Sequence, residues 1–441
     1  MTTETGTEPG PGPEPGDAAG THRAVDAVWR LESARIIAGL ARLVRDVGLA
    51  EELAQDALVT ALEQWPESGV PDNPGAWLMA VGKRRAIDRI RRDQTLERKL
   101  EEIGHRLDAA DGSTEDFAAV LEDEPIEDDI LRLVFTACHP VLPTPARVAL
   151  TLRMLGGLAT DEIARAFLVP ESTVAQRIVR AKRTLAEAGV PFEVPAGEER
   201  AGRLSSVLEV IYLIFNEGYA ATAGDDWVRA DLCQEALRLG RLLAGLAPGE
   251  AEVHGLVALM EIQASRTRAR TGPKGEPVQI LDQNRGLWDQ LLIRRGYAAL
   301  LRAEKAAGGA GTPGPYVLQA AIAVCHAQAR TAEETDWERI ATLYGVLAQR
   351  APSPVVELNR AVAVGMAYGP EKGLEVVDAL RGEASLRSYH LLPSVRGDLL
   401  YKLGRFAEAK EEFERAASLT RNGPERNVLQ ERAAAAAAKQ A

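Results

Sequence analysis

Apolar residues recur at three- and four-residue steps through most of the chain, and no stretch sustains the two-residue alternation of a half-buried strand. Val25, Val28, Trp29, Ile36, Leu40, Leu43, Val44 and Val47 trace one face of an amphipathic helical segment. In the next segment Leu53 and Ala57 turn inward while Glu51, Gln55 and Asp56 turn outward, and the helix is expected to stop at Trp65-Pro66. After Pro71 and Pro74 a third helix begins at Trp77, with Leu78, Val81, Ile87 and Ile90 able to face a core. Trp77 itself reads as core more readily than as a platform for stacking bases.

A second block, 125–190, contains the most informative local pattern. Thr160 suits a helix N-cap, and Asp161 and Glu162 follow where negative charge favours the helix start. Ile163, Ala164 and Phe167 form the apolar side of a short helix, which Leu168-Val169-Pro170 interrupts. Val174, Ile178, Ala181 and Leu185 then fall on one face of a second helix. Ser172, Thr173, Gln176, Arg177, Arg180 and Arg183 point elsewhere. Two short helices with a polar, basic second member are the layout of a helix-turn-helix, whose hydroxyl, amide and guanidinium groups reach phosphates and base edges. A plain helical pair with a solvated basic face has the same pattern.

Composition adds an apparent objection. The formal charge is −12, yet eight Lys/Arg face three Asp/Glu between Trp77 and Lys99, while ten acids and no Lys or Arg lie between Asp108 and Asp129. Nucleic acid responds to a local patch, so the segregation removes the objection. Residues 1–23 read as a disordered tail and 100–124 as an acidic linker, bounding a first helical block at 24–99. With three scattered cysteines and no long apolar run, a reduced, cytoplasmic, soluble protein with no membrane contact is expected. The adjacent pairs Cys138-His139 and Cys325-His326 diverge by about 100° on a helix, so neither is a ready chelate. No metal, cofactor or catalytic motif is expected.

Taken together and in order, these segments resemble the ECF family of RNA polymerase sigma factors. The resemblance is carried by Ala50-Glu51-Glu52-Leu53-Ala54-Gln55-Asp56, Pro74-Gly75-Ala76-Trp77-Leu78, Ala86-Ile87-Asp88-Arg89-Ile90-Arg91-Arg92 and the helix-turn-helix from Thr160 to Leu185. It covers about Ala24 to Gly189. It implies that Glu51, Glu52, Gln55 and Asp56 dock on the clamp of the polymerase largest subunit. It also implies that Lys83, Arg84, Arg85, Arg91 and Arg92 engage the −10 element. Ser172, Thr173, Gln176, Arg177, Arg180, Lys182 and Arg183 would then serve the −35 element. Arg84 stands where most members carry Asn, and Ala175-Gln176 where Lys-Ser is commoner, so the promoter sequence does not carry over.

From about 198 to 441 the chain is again helical. Leu399 to Ala409, with Phe413 and Ala416, looks like a tetratricopeptide repeat, and Gly369 precedes Gly404 by 35 residues, close to the repeat's characteristic length. The whole is expected to be all-α: two sigma domains, an acidic linker and a TPR-like regulatory domain open to a regulatory protein. A free-standing regulator would leave the acidic and basic helices unexplained. An enzyme would have to use the polar cluster of Tyr212, Asn216, Glu217, Tyr219, Asp225 and Asp226, for which capping and packing are the simpler roles.

Overall fold

Helices follow one another through the whole computed structural model, which describes residues 18–104, 126–220, 223–224, 228–273, 275–308 and 312–440. The all-α expectation holds: among the described residues, strand pairing is limited to Ala223–Gly224 with Arg421–Asn422 and one bridge, Thr271 with Pro277. Most of the tail, the acidic linker from 105 and both Asp225 and Asp226 lie outside the described residues. The chain divides into two units, one reaching Val207 without Ala166–Leu168, the other holding those three residues and Leu208 onward.

In the first unit α1 (Ala18–Val44) packs against α2 (Val47–Ser68), α3 (Pro74–Gly104) and α4 (Ile126–Ala137). Val25, Trp29, Ile36, Ile37 and Leu40 make its buried stripe. Arg45, in a left-handed conformation, ends α1, and the Asp46 carboxylate caps α2 by accepting from the Leu49 N–H at 2.8 Å. Contrary to the sequence expectation, α2 runs through Pro66 to Ser68. A proline in the last turn removes only one backbone bond, and the Gly69 N–H still closes on the Trp65 carbonyl at 3.0 Å. Trp65 is fully buried and meets half-buried Trp77 edge-on, with ring centroids 5.4 Å apart.

The unit continues through α5 (Thr144–Met154), α6 (Thr160–Phe167), α7 (Glu171–Glu187) and the opening turns of α8 (Gly197–Tyr219). Those turns belong here for a hydrogen-bonded reason. Arg203 donates to the Phe135 carbonyl at 3.0 Å, Ser206 donates to the Cys138 carbonyl at 2.6 Å, and Arg147 donates to the Ser206 hydroxyl at 2.5 Å.

The second unit contains α9 (Ala230–Leu246), α10 (Ala251–Ala264), α11 (Gln290–Ala306), α12 (Pro315–Gln328) and α13 (Trp337–Arg350). It goes on through α14 (Pro354–Tyr368), α15 (Pro370–Ala379), α16 (Leu391–Lys402), α17 (Phe406–Leu419) and α18 (Gly423–Gln440). Each packs on the next, as in a stack of hairpins. Gly369 (φ +102°) and Gly404 (φ +74°) occupy the same place in successive hairpins, α14/α15 and α16/α17, where the left-handed turn favours glycine.

Candidate nucleic-acid interface

The helix-turn-helix forms where the apolar steps place it. α6 opens with the Glu162 carboxylate accepting from the Ala159 N–H at 2.8 Å, so the cap bond comes from Glu162 rather than from the Thr160 side chain. Leu168 adopts φ +49°, the Val169 N–H closes back on the Ala164 carbonyl at 3.1 Å, and Pro170 leads into α7. Val174, Ile178, Ala181 and Leu185 are all buried. That leaves Ser172, Gln176, Arg180 and Arg183 exposed, with Thr173, Arg177 and Lys182 half-buried.

On α3, Arg84, Arg91 and Arg92 are exposed and Lys83 is half-buried. The Arg92 Nε donates to the Asp88 carbonyl at 3.1 Å, which braces the guanidinium along the helix. Arg85 instead turns toward α2, 3.0 Å from the Asp56 carboxylate and donating to the Thr60 hydroxyl at 2.8 Å. Leu78 and Ala86 anchor this basic helix in the core.

Glu52 and Asp56 on α2 are exposed and Gln55 is half-buried. Glu51, expected to point outward, is only 4% exposed. One of its oxygens accepts from the Arg153 Nε of α5 at 2.9 Å, and the other is bonded by the Lys182 ammonium of α7. Glu51 sits one turn before buried Ala54, on the border of the apolar face, so partners from other helices decide which way it goes. Those partners lie 102 and 131 residues along the chain, and no local pattern announces them.

Three further contacts tie α1 to its neighbours in the same unit. Arg30 of α1 pairs with Glu162 of α6 at 2.5 Å, and Arg42 of α1 pairs with buried Asp129 of α4 at 3.4 Å. Gly157, with φ +65°, brings the loop before α6 so close to α1 that a Cβ there would lie 2.8 Å from the Ser33 hydroxyl. Sequence reading missed Arg30, Arg42, Asp129 and Arg153, because their cross-helix partners lie far along the chain, although Asp129 also accepts from Arg132 of its own helix at 2.8 Å.

The other candidate groups are used locally. Cys138 bonds the Thr151 hydroxyl at 3.3 Å, and burial pushes its thiol up to about 11. The His139 Nδ1 accepts from the Val141 N–H at 3.1 Å. In the second unit Tyr212 donates to Gln319 at 3.2 Å, Glu217 pairs with Arg229, and the Tyr219 hydroxyl accepts from Arg266. These polar groups are thus distributed among separate packing contacts. Among the described residues no group of three or more His, Cys, Asp and Glu side chains could hold a metal, and no helix is long and apolar enough to cross a membrane.

Comparison with known proteins covers both blocks. Residues 30–95 match the family model for sigma-70 region 2, and residues 132–185 match that for sigma-70 region 4. Residues 203–304 match a family of unknown function, DUF6596. An uncharacterized protein of Rhizobium meliloti is 46% identical over 388 residues, 88% of this chain and 89% of that protein. The ECF RNA polymerase sigma factor SigK of Mycobacterium ulcerans is 30% identical over 156 residues, 34% of this chain and 78% of SigK. The probable ECF RNA polymerase sigma factor SigI of Mycobacterium tuberculosis is 28% identical over 203 residues, 43% of this chain and 68% of SigI. No solved structure matches.

Proposed function

The chain belongs to the ECF RNA polymerase sigma factors, and from that premise we propose how its helices divide the work of promoter recognition. Membership makes core polymerase and promoter DNA its partners and gives it no reaction to catalyse. In our reading α2 docks on the polymerase clamp through Glu51, Glu52, Gln55 and Asp56. α3 holds the −10 element through Lys83, Arg84, Arg85, Arg91 and Arg92. α7 reads the −35 element through Ser172, Thr173, Gln176 and Arg177, with Arg180, Lys182 and Arg183 on the phosphates.

The observation that carries this reading is the partition of α7, whose Val174, Ile178, Ala181 and Leu185 are buried while its hydroxyl, amide and guanidinium groups, with Val179 among them, remain at the surface. Such groups suit the major groove, where amides and guanidinium groups make paired bonds to base edges. Opening the −10 element means unstacking bases, at about a few kcal/mol per step. Cations along the displaced strand offset part of that cost.

Glu51 cannot serve polymerase while it bonds Arg153 and Lys182, and Lys182 cannot serve DNA while it bonds Glu51. Promoter binding in this reading therefore begins when α2 parts from α5 and α7. We assign control of that step to the C-terminal unit, whose stacked hairpins offer the kind of surface that repeat proteins use for binding.

The test is run-off transcription with purified core polymerase. Initiation from a defined promoter is expected only when the protein is present. Arg91→Glu with Arg92→Glu should weaken opening and lower the salt slope by about 1.4 to 1.8, for two contacts at about 0.7 to 0.9 each. No initiation from any promoter of a genomic library, or an unchanged slope, would remove respectively the whole reading or the role of those two arginines.

A further inference from the structure

Between α10, α12 and α13 of the second unit lies a cavity of about 150 Å³ whose lining combines Arg266, His326 and Tyr344 with the apolar walls Ile262, Ile280 and Ile322. Neither the family matches nor the sigma-factor reading gives it a role. Half of the lining residues are apolar and half polar, Gln263 and Gln319 included, so the cavity can take an apolar body and bond its polar end, as a small-molecule site does. Its volume is that of a cavity able to admit a single six-membered ring, about 150 Å³.

The charge balance identifies what the cavity lacks. Arg266 has five N–H donors, of which one is seen bonded, to the Tyr219 hydroxyl at 2.5 Å. Its guanidinium carbon lies 5.8 Å from the Tyr219 ring centroid and 5.7 Å from that of Trp288. Rings supply a weak counter-field and no negative charge. Among the described residues no carboxylate pairs with Arg266. A second guanidinium, that of Arg285, lies 4.7 Å from the Trp288 centroid and spends its donors on the His326 and Ala329 carbonyls and the Thr335 hydroxyl. Glu333 and Glu334 lie near enough to Arg285 to offset its charge, so among the described residues it is Arg266 that faces the cavity without a carboxylate.

The titratable groups respond to that field. Burial, with Arg266 and Arg285 nearby, holds His326 down to about 3, so its ring is neutral. Its Nδ1 is buried without a partner. Burial also pushes the Tyr344 phenol up to about 12, which keeps its O–H as a donor. A single planar fork facing apolar walls matches a carboxylate on a ring-sized body better than a phosphate, which needs several cationic donors around it.

We propose that this cavity binds a small organic carboxylate, its two oxygens on Arg266 and its apolar body against Ile262, Ile280 and Ile322. The site gives the C-terminal unit a ligand of its own, and it stands or falls separately from promoter recognition.

Isothermal titration of the full chain tests it with three probes: benzoate, its neutral isostere benzamide, and inorganic phosphate. Benzoate is expected to bind with saturation below about 10 mM, at least tenfold more tightly than either of the others. Arg266→Gln should abolish the heat. Ala323→Leu narrows the cavity from its lining without removing a polar group, and it should do the same while leaving the unfolding midpoint of the free protein in place. Tyr344→Phe should weaken benzoate several-fold. No saturable heat with benzoate overturns the proposal, and so does equal affinity for benzamide, which would mean that the apolar body alone is recognised. Phosphate binding as tightly as benzoate would make Arg266 a simple anion contact and also overturn it. Undiminished binding by a folded Ala323→Leu variant would place benzoate elsewhere, with the same consequence.

Discussion

Glu51 joins three helices through one carboxylate, and its surroundings make a specific demand. With 4% of its surface exposed, it depends on Arg153 and Lys182 for its charge balance. Removing the partners of a buried ion costs about 3 to 5 kcal/mol, a penalty relieved if the ion returns to water. The double variant Arg153→Gln with Lys182→Gln should therefore favour parting of α2 from α5 and α7. Several-fold tighter binding to core polymerase is expected in a fluorescence titration, and equal or weaker binding would detach Glu51 from that surface. His326 makes a different demand. It titrates near 3 in the folded chain against 6.5 when free, so between those values the unfolded chain binds the additional proton. Stability contributed by the neutral ring is thus complete above 6.5 and lost as pH falls toward 3. The slope is up to about 1.4 kcal/mol per pH unit. Urea midpoints at pH 7 and 4.5 should separate by less in His326→Gln than in the parent.

At the scale of helices, two glycines of the stacked hairpins do opposite work. Gly373 lets α15 lie against α14, and a Cβ there would sit 2.8 Å from both the Ala361 carbonyl oxygen and the Gly365 Cα. Backbone cannot rotate aside as a side chain does, so Gly373→Ala should cost at or above the upper end of about 1 to 3 kcal/mol. Gly404 has open space around it and is needed only for its φ of +74°. Gly404→Ala should cost about 1 to 2 kcal/mol, the strain of a left-handed residue. Denaturant unfolding of the two variants compares them directly, and equal costs would mean that the α14/α15 crossing is not set by close approach. The helix-turn-helix obeys similar logic. Leu168 takes a left-handed turn without being glycine, because the flanking helices are fixed by the buried faces of α6 and α7.

For the molecule as a whole, the first unit ends after Val207 rather than where the prolines at 191 and 195 punctuate the sequence. Leu204 and Val207 are buried, and Arg203 and Ser206 bond the Phe135 and Cys138 carbonyls. A chain cut after Gly197 forfeits about 1 kcal/mol per hydrogen bond and about 1.5 to 3 kcal/mol per buried side chain. A fragment ending at Val207 should therefore unfold cooperatively in urea at a distinctly higher midpoint than one ending at Gly197. Coincident midpoints would show that the opening turns of α8 add nothing to region 4.

Periodicity sufficed for what depends on near neighbours. The buried face of α7, the interruption at Leu168 to Pro170, the basic exposure of Arg84, Arg91 and Arg92 and the 35-residue spacing of Gly369 and Gly404 were all legible, because side-chain direction on a helix follows from position. Motif order identified the family for the same reason, since it is a property of the linear chain. Only the tertiary structure decided that Glu51 turns inward, that Arg85 leans on Asp56, and that Arg266 has two rings beside it and, among the described residues, no carboxylate. A charged side chain at the edge of an apolar stripe has two accessible environments. Which one it takes depends on partners brought by helices a hundred residues away, and that information exists only once the helices have packed.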